Sequence, residues 1–169
     1  MHAQAVEGSL RNCAVAVLSS CQSAAMRMDP RLDECLDLPS ALIIAGVGTV
    51  IAPMWPIEEG FAALWTDLFY ERLTAGAGVA DLAALVREVN HTVRAMSRDS
   101  AAERLSALAG GAQDSAAYIR LLAYGQHLER GTEPVFAHPW WWAAFLVYGR
   151  GRVLIEEGRS DGKHPRAHP

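Results

Sequence analysis

The sequence lacks the positive charge that nucleic-acid binding normally requires. Among its 169 residues Lys163 is the only lysine, and 15 basic side chains against 19 acidic ones give a formal net charge of -4. A nucleic-acid binder usually presents a strongly basic face to the phosphates. We therefore expect no nucleic-acid partner. The hydrophobic share of 51% and the charged share of 20% are typical of a globular protein and exclude general disorder.

Cysteine is scarce too, and its pattern excludes common metal sites. Cys13, Cys21 and Cys35 are odd in number, form no C-x-x-C pair and have no histidine pair nearby. We therefore expect no metal and no other cofactor. The first ten residues show no basic segment followed by an apolar run, so no signal peptide is predicted. Free thiols in a reducing bacterial cytoplasm are the expectation.

One charge-free run of 20 residues, 38–57, is long enough to raise the question of a membrane span. Three prolines interrupt it, and glycines lie at its middle. A short helix over Ser40–Ala45, a glycine turn and a buried strand over Thr49–Met54 explain this pattern better. We predict no membrane-spanning segment.

Elsewhere, apolar periodicity predicts alternating strands and helices. The predicted elements are a strand within 13–20, helices over Glu58–Thr74, about Ala80–Met96 and Ala116–Arg130, and a strand in the second half of 138–149. Residues 98–113 show a weaker, Ala-rich pattern. Strands separated by helices favour an α/β sheet with parallel neighbours. We expect an N-terminal segment over 1–12, one domain over 13–157 and a disordered tail over 158–169.

Cys21 is the first candidate for chemistry. It follows a predicted buried strand, and open α/β sheets place reactive groups beyond the carboxyl ends of their strands. The small residues after it leave a thiol accessible. A cysteine at the end of a strand is also a common buried apolar residue, so this position alone does not decide between the two.

Four sequence motifs in fixed order, called phrases below, add to the argument that Cys21 is functional. They are VLSSCQSA (17–24), DECLDLPSALIIAGVGTVIAPMWPIEE (33–59), LFYERL (68–73) and HPWWWAAFLVYG (138–149). Together they resemble the CHAT family of caspase-like domains over about Val15 to Gly149. The resemblance implies a three-layer caspase-like α/β sandwich around a small, mainly parallel sheet, with the N-terminal part missing.

The family is related to caspases and separases, in which a Cys–His dyad cleaves peptide bonds, and the resemblance makes Cys21 the nucleophile. Such a cysteine needs an imidazole that accepts its proton or stabilises the thiolate. In the family pattern, an upstream strand ends in that histidine followed by glycine. Here the one upstream histidine is His2, followed by Ala3. The expectation is a module that lacks its own catalytic histidine.

Three downstream histidines are possible substitutes, but each has an ordinary structural explanation. His91 fits a partly exposed position on a helix, and His127 fits the end of a helix, where a cation suits the dipole. His138 precedes Pro139 and fits a loop that enters the last strand. We assign none of them as the base.

Two further groups of side chains each allow both a functional and a structural interpretation. Glu58 and Glu59 can bind a basic residue of a substrate, as acidic residues at this point of the family pattern suggest, or form an ordinary acidic first helical turn. The three tryptophans 140–142 can form a binding surface. In an alternating strand, they would instead supply core packing and a contact at the sheet edge.

The leading hypothesis is therefore a CHAT-family, cysteine-peptidase-like module that is inactive alone. It would act as a signalling or interaction module with a protein or peptide partner, and a tetratricopeptide-repeat protein is one candidate partner. The alternatives are a truncated piece of an active protease that cleaves after basic residues, and a scaffold domain in which Cys21 has no role. Loss of strands at the sheet edge also predicts poor solubility or an edge-paired dimer.

Overall fold

A computed structural model describes residues 10–19, 38–112, 114–128 and 131–155. The predictions for Cys21, for His2 and for the tail 158–169 lie outside these residues. Within them the chain forms five strands and six helices. In chain order they are β1 Val15–Val17, α1 Leu38–Ile44, β2 Thr49–Pro53, α2 Glu59–Ala75, β3 Gly78–Asp81, α3 Leu82–Ala95, α4 Arg98–Gly111, α5 Ser115–His127, α6 Pro139–Trp142, β4 Phe145–Gly149 and β5 Arg152–Ile155.

The central sheet has the order β1-β2-β4 in the described part of the chain. β1 runs parallel to β2, with Val15 opposite Thr49, as the sequence predicts. β4 runs antiparallel to β2, with Val50 opposite Tyr148. A mixed α/β fold is therefore observed, whereas the prediction of a mainly parallel sheet is wrong for these strands.

The direction of β4 follows from where the chain enters it. α6 delivers the chain to the edge at which β2 ends, and the amide of Met54 donates to the carbonyl of Ala144 over 2.8 Å. From that edge the chain can pair with β2 only by running back along it. The helices between β2 and β4 therefore do not form the crossover that a parallel neighbour requires.

β2 is buried on both faces, and all five of its residues are buried. Ile51 faces a large core built mainly from α2 and α3. Val50 and Ala52 face a smaller cluster that includes Leu42 and Ile43 of α1. This continuous burial explains why the strand reads as an unbroken apolar run in the sequence.

Trp65 of α2 lies at the centre of the larger core. It is fully buried, and its ring stacks on Phe145 of β4 with centroids 3.8 Å apart. Its indole N–H donates to the side-chain oxygen of Asn90 on α3 over 2.8 Å, so the buried polar atom is satisfied. One side chain thus joins the sheet to two helices.

The structure adds a two-stranded antiparallel sheet, β3-β5, that the sequence analysis missed. The predicted helix beginning near Ala80 starts at Leu82 instead, capped by the Asp81 carboxylate, which accepts from the amide of Ala84. Gly149 and Gly151 both have positive φ and turn the chain from β4 into β5. The weak segment 98–113 is largely the helix α4.

The three tryptophans are helical, so their predicted place in a strand is wrong. Pro139 occupies the first turn of α6, where its missing N–H costs nothing, and His138 caps that turn. The charge-free run 38–57 contains α1 and β2, as predicted. None of the helices in the described ranges is both long and apolar enough to cross a membrane.

Candidate functional site

The candidate site lies at the edge where β1 and β2 end. Because the two strands are parallel, their carboxyl ends both lie at this edge. The described part of β1's continuation ends at Ser19, two residues before Cys21. On the other side, Met54 and Trp55 follow β2 and lead into α2.

An apolar surface covers part of this edge. The rings of Trp55 and Trp140 stack with centroids 5.4 Å apart, and the Trp55 indole N–H donates to the Trp140 carbonyl over 2.9 Å. Trp140 and Met54 are 47% and 49% exposed. Trp141 instead packs against Phe61 in the core. The two interpretations of the tryptophans therefore apply to different members of the group.

Glu59 is engaged by an arginine from another helix. The Nε of Arg120 on α5 lies 3.0 Å from a carboxylate oxygen of Glu59, at the first turn of α2. Both side chains are more than half exposed, so the pair contributes little to stability. The Glu59 carboxylate is thus accessible enough to bind a guanidinium, and in the structure it binds that of Arg120.

Glu58 is engaged by the same helix. Tyr124, one turn after Arg120 on α5, places its ring against Gly60, where an added Cβ would lie 2.2 Å from the ring. Burial raises the pKa of Tyr124, and the negative charge of Glu58 together with the hydrogen bond between the two side chains raises it further. α5 therefore contacts the acidic start of α2, whose two carboxylates stay exposed.

Of the described histidines, His138 directly precedes α6, the helix whose Trp140 packs on Trp55 at this edge of the sheet. Its Nδ1 accepts a hydrogen bond from the amide of Trp140 over 3.2 Å. In this arrangement the Nδ1 lone pair is engaged at the start of α6.

The other two described histidines are exposed helix residues. His91 lies on α3 in a cavity that Arg87, Arg94 and Trp142 also line. His127 ends α5, as predicted. Among the described residues no three His, Cys, Asp or Glu side chains come together as a metal-ligand set.

Arg120 and Tyr124 are the site residues that the sequence analysis missed. Their spacing of four places both on one face of α5. That spacing is a usable signal for a shared contact surface. It does not identify Glu58 and Glu59 as partners, because those residues lie about 60 positions earlier in the chain.

Comparison with known proteins supplies a family. The family model described as CHAT domain matches residues 1–150 of the chain. No curated protein and no solved structure matches it.

Proposed function

The chain belongs to the CHAT domain family, and from this membership we propose that it is a cysteine-peptidase-like module with Cys21 in the position of the nucleophile. The proposal includes a caspase-like arrangement of the sheet and its helices. It is supported by the parallel pair β1–β2, because parallel strands have their carboxyl ends at the same edge of a sheet, where β2 leads into α2. That shared edge is the observation that carries the proposal.

We further propose that the module does not cleave peptides alone and acts through a protein partner, with a tetratricopeptide-repeat protein as one candidate. A thiol with an ordinary pKa is only a few per cent ionised at neutral pH, so catalysis needs a base. His138, the described histidine at this edge, already uses its Nδ1 to cap α6. This arrangement supports a partner-dependent role.

The test is the reactivity of Cys21 in the full chain. Iodoacetamide labelling at neutral pH, resolved by peptide mass mapping, should modify Cys21 at a rate within about tenfold of glutathione. Peptides containing arginine should remain uncleaved. Cys13, which is partly exposed, serves as a thiol control in the same sample.

A labelling rate more than about thirtyfold above that of glutathione would show an activated thiolate. Together with peptide cleavage that disappears in Cys21→Ala, it would overturn the proposal of inactivity. It would leave Cys21 as the nucleophile. Unchanged partner binding and cellular function in Cys21→Ala would instead support the scaffold alternative.

A second candidate function is a protease that cleaves after basic residues. The specific observation in its favour is that Glu59 already holds the guanidinium of Arg120 at 3.0 Å. A substrate arginine would make the same contact after displacing Arg120. The exposed pair is weak enough for such an exchange.

Arg120→Gln tests this candidate without changing the carboxylate. If Glu59 binds basic substrate residues, the variant should bind arginine-containing peptides more tightly, by up to about fivefold. Arg87→Gln on α3 removes the same charge elsewhere and should have no effect. Equal peptide affinity in both variants would contradict the proposal that Glu59 binds basic substrate residues.

A further inference from the structure

A separate cleft lies at the amino-terminal edge of β1 and β2, opposite the edge where these strands end. Three chain segments line it, 11–14, 46–48 and 149–150, together with Ile43. Its volume is about 700 Å³. Sites of this size accommodate small molecules.

The floor of the cleft is closely packed backbone. A Cβ on Gly149 would lie 2.6 Å from the carbonyl oxygen of Gly48, and one on Gly48 would lie 2.9 Å from that of Ala14. The amide of Arg150 donates to the Gly48 carbonyl over 3.1 Å, and the amide of Gly48 donates to the Cys13 carbonyl over 3.0 Å. These contacts fix the backbone that carries Arg150.

Two arginines, Arg11 and Arg150, line this cleft. Arg11 and Arg150 form no ion pair within the described ranges, in contrast to Arg104 and Arg120. None of the described residues that line the cleft is acidic. The stem of Arg11 lies against Gly46, where a Cβ would be 2.9 Å from its Cγ. In a chain of net charge -4, this is a local concentration of positive charge.

We propose that this cleft binds the phosphoryl group of a small phosphorylated molecule. Arginine matches a phosphate with two parallel N–H donors, and Arg11 and Arg150 approach from different segments. Asn12 adds an amide to the same lining. Ile43 and Val47 provide an apolar wall for the organic part of the ligand. The proposal is independent of Cys21 and of the function proposed above.

Titration calorimetry on the full chain tests the site with inorganic pyrophosphate, AMP and adenosine. Pyrophosphate and AMP should bind with dissociation constants below about 1 mM, and adenosine should not bind. AMP binding at least about tenfold tighter than pyrophosphate identifies an organic phosphate as the ligand class. Equal affinities identify a free phosphate. Absence of binding by both anions overturns the proposal.

Matched variants separate the site from general electrostatics. Arg150→Gln and Arg11→Gln should each weaken AMP binding by about tenfold or more. Arg152→Gln changes the chain by the same charge, two residues away on β5 and outside the cleft lining, and should leave the affinity unchanged. AMP should also slow alkylation of Cys13, which lines the cleft. Equal losses in Arg150→Gln and Arg152→Gln, or no protection of Cys13, would refute the assignment.

Discussion

At the residue scale, the contact between α2 and α5 depends on the missing side chain of Gly60. The ring of Tyr124 occupies the space that a Cβ would need. This close approach brings the phenol to Glu58 and keeps Arg120 beside Glu59. A residue with no functional group of its own therefore determines how the acidic start of α2 is covered.

We predict that Gly60→Ala lowers the free energy of unfolding by about 1–3 kcal/mol, because the new methyl group overlaps the Tyr124 ring. Urea denaturation measures the change. Gly110→Ala is the matched control: nothing lies within 4 Å of its Cβ, and it lies in the α4 helix. Alanine there should stabilise by about 0.5–1 kcal/mol. Equal effects of the two variants would contradict the packing described for Tyr124.

A second prediction at this scale concerns alkaline pH. Because the pKa of Tyr124 is raised in the folded chain, its neutral form contributes stability below the ordinary tyrosine pKa of about 10. That contribution is lost as the pH rises above this value. Tyr124→Phe should therefore flatten the fall in stability above about pH 10, whereas Tyr118→Phe, an exposed position on α5, should not. Denaturation curves from pH 8 to about pH 11 that are parallel for both variants would exclude this role.

At the element scale, α2 and α4 are joined by one arginine. Arg104 of α4 donates to Asp67 over 2.6 Å and also contacts Glu71, one turn further along α2. The hydrogen bond and the charge of Arg104 lower the pKa of Glu71. A lowered carboxyl pKa stabilises the fold above the ordinary glutamate pKa, and this contribution is lost as the pH falls through the folded value.

Arg104→Gln should therefore reduce stability at neutral pH, by about 1 kcal/mol or less for the partly exposed contact with Asp67. The difference from the unsubstituted chain should shrink as the pH falls below about 4.3. Urea midpoints at pH 7 and at about pH 3 measure it. Arg87→Gln, on α3, is the control. A difference that stays constant with pH would mean that Arg104 acts through packing of its stem rather than through its charge.

At the scale of the whole molecule, β1 is an edge strand of the described sheet. The Ala14 carbonyl and the Leu18 amide bond to β2. Because alternate residues of a strand point their backbone groups to opposite sides, the amides of Val15 and Val17 face away from β2. No strand in the described ranges pairs with that side of β1. A strand edge without a pairing partner favours pairing between copies.

We predict a dimer that forms through β1 with increasing protein concentration. Size-exclusion chromatography with light scattering over a concentration series measures it. Val79→Lys is the control, because Val79 pairs with Leu154 on an exposed apolar face of the other sheet. Loss of the dimer in Val79→Lys would indicate that the dimer interface lies at the β3-β5 sheet instead. A monomer at every concentration would show that the β1 edge does not mediate self-association.

Much of the fold can be predicted from local sequence patterns. The three strands of the central sheet, and helices α2, α3 and α5, follow from apolar periodicity and from prolines and glycines at their ends. The short strands β3 and β5 could not be predicted in this way, because each has four residues and exists only as the partner of the other. The helical turn α6 is not predicted, because three adjacent tryptophans fit an alternating strand equally well. Pro139 after His138 was the local signal for a helical turn.

Some features of the candidate site can likewise be predicted from the sequence, and others cannot. Its acidic pair and the order of the four phrases are visible in the sequence, and the CHAT family match agrees with the family that those phrases suggest. The proposed role of Cys21 stays a prediction. The engagement of Glu59 by Arg120 was not predictable, since side chains 61 residues apart meet only after α5 has packed on α2.

The sequence by itself determined the family, the principal strands and helices, and the position of the candidate nucleophile along the chain. These depend on the identity and spacing of neighbouring residues. Only the tertiary structure decided that β4 runs antiparallel, that α5 contacts Glu58 and Glu59, and that Arg11 and Arg150 line one cleft. Each of these depends on contacts between distant segments, and local propensities do not encode the direction from which two segments approach each other.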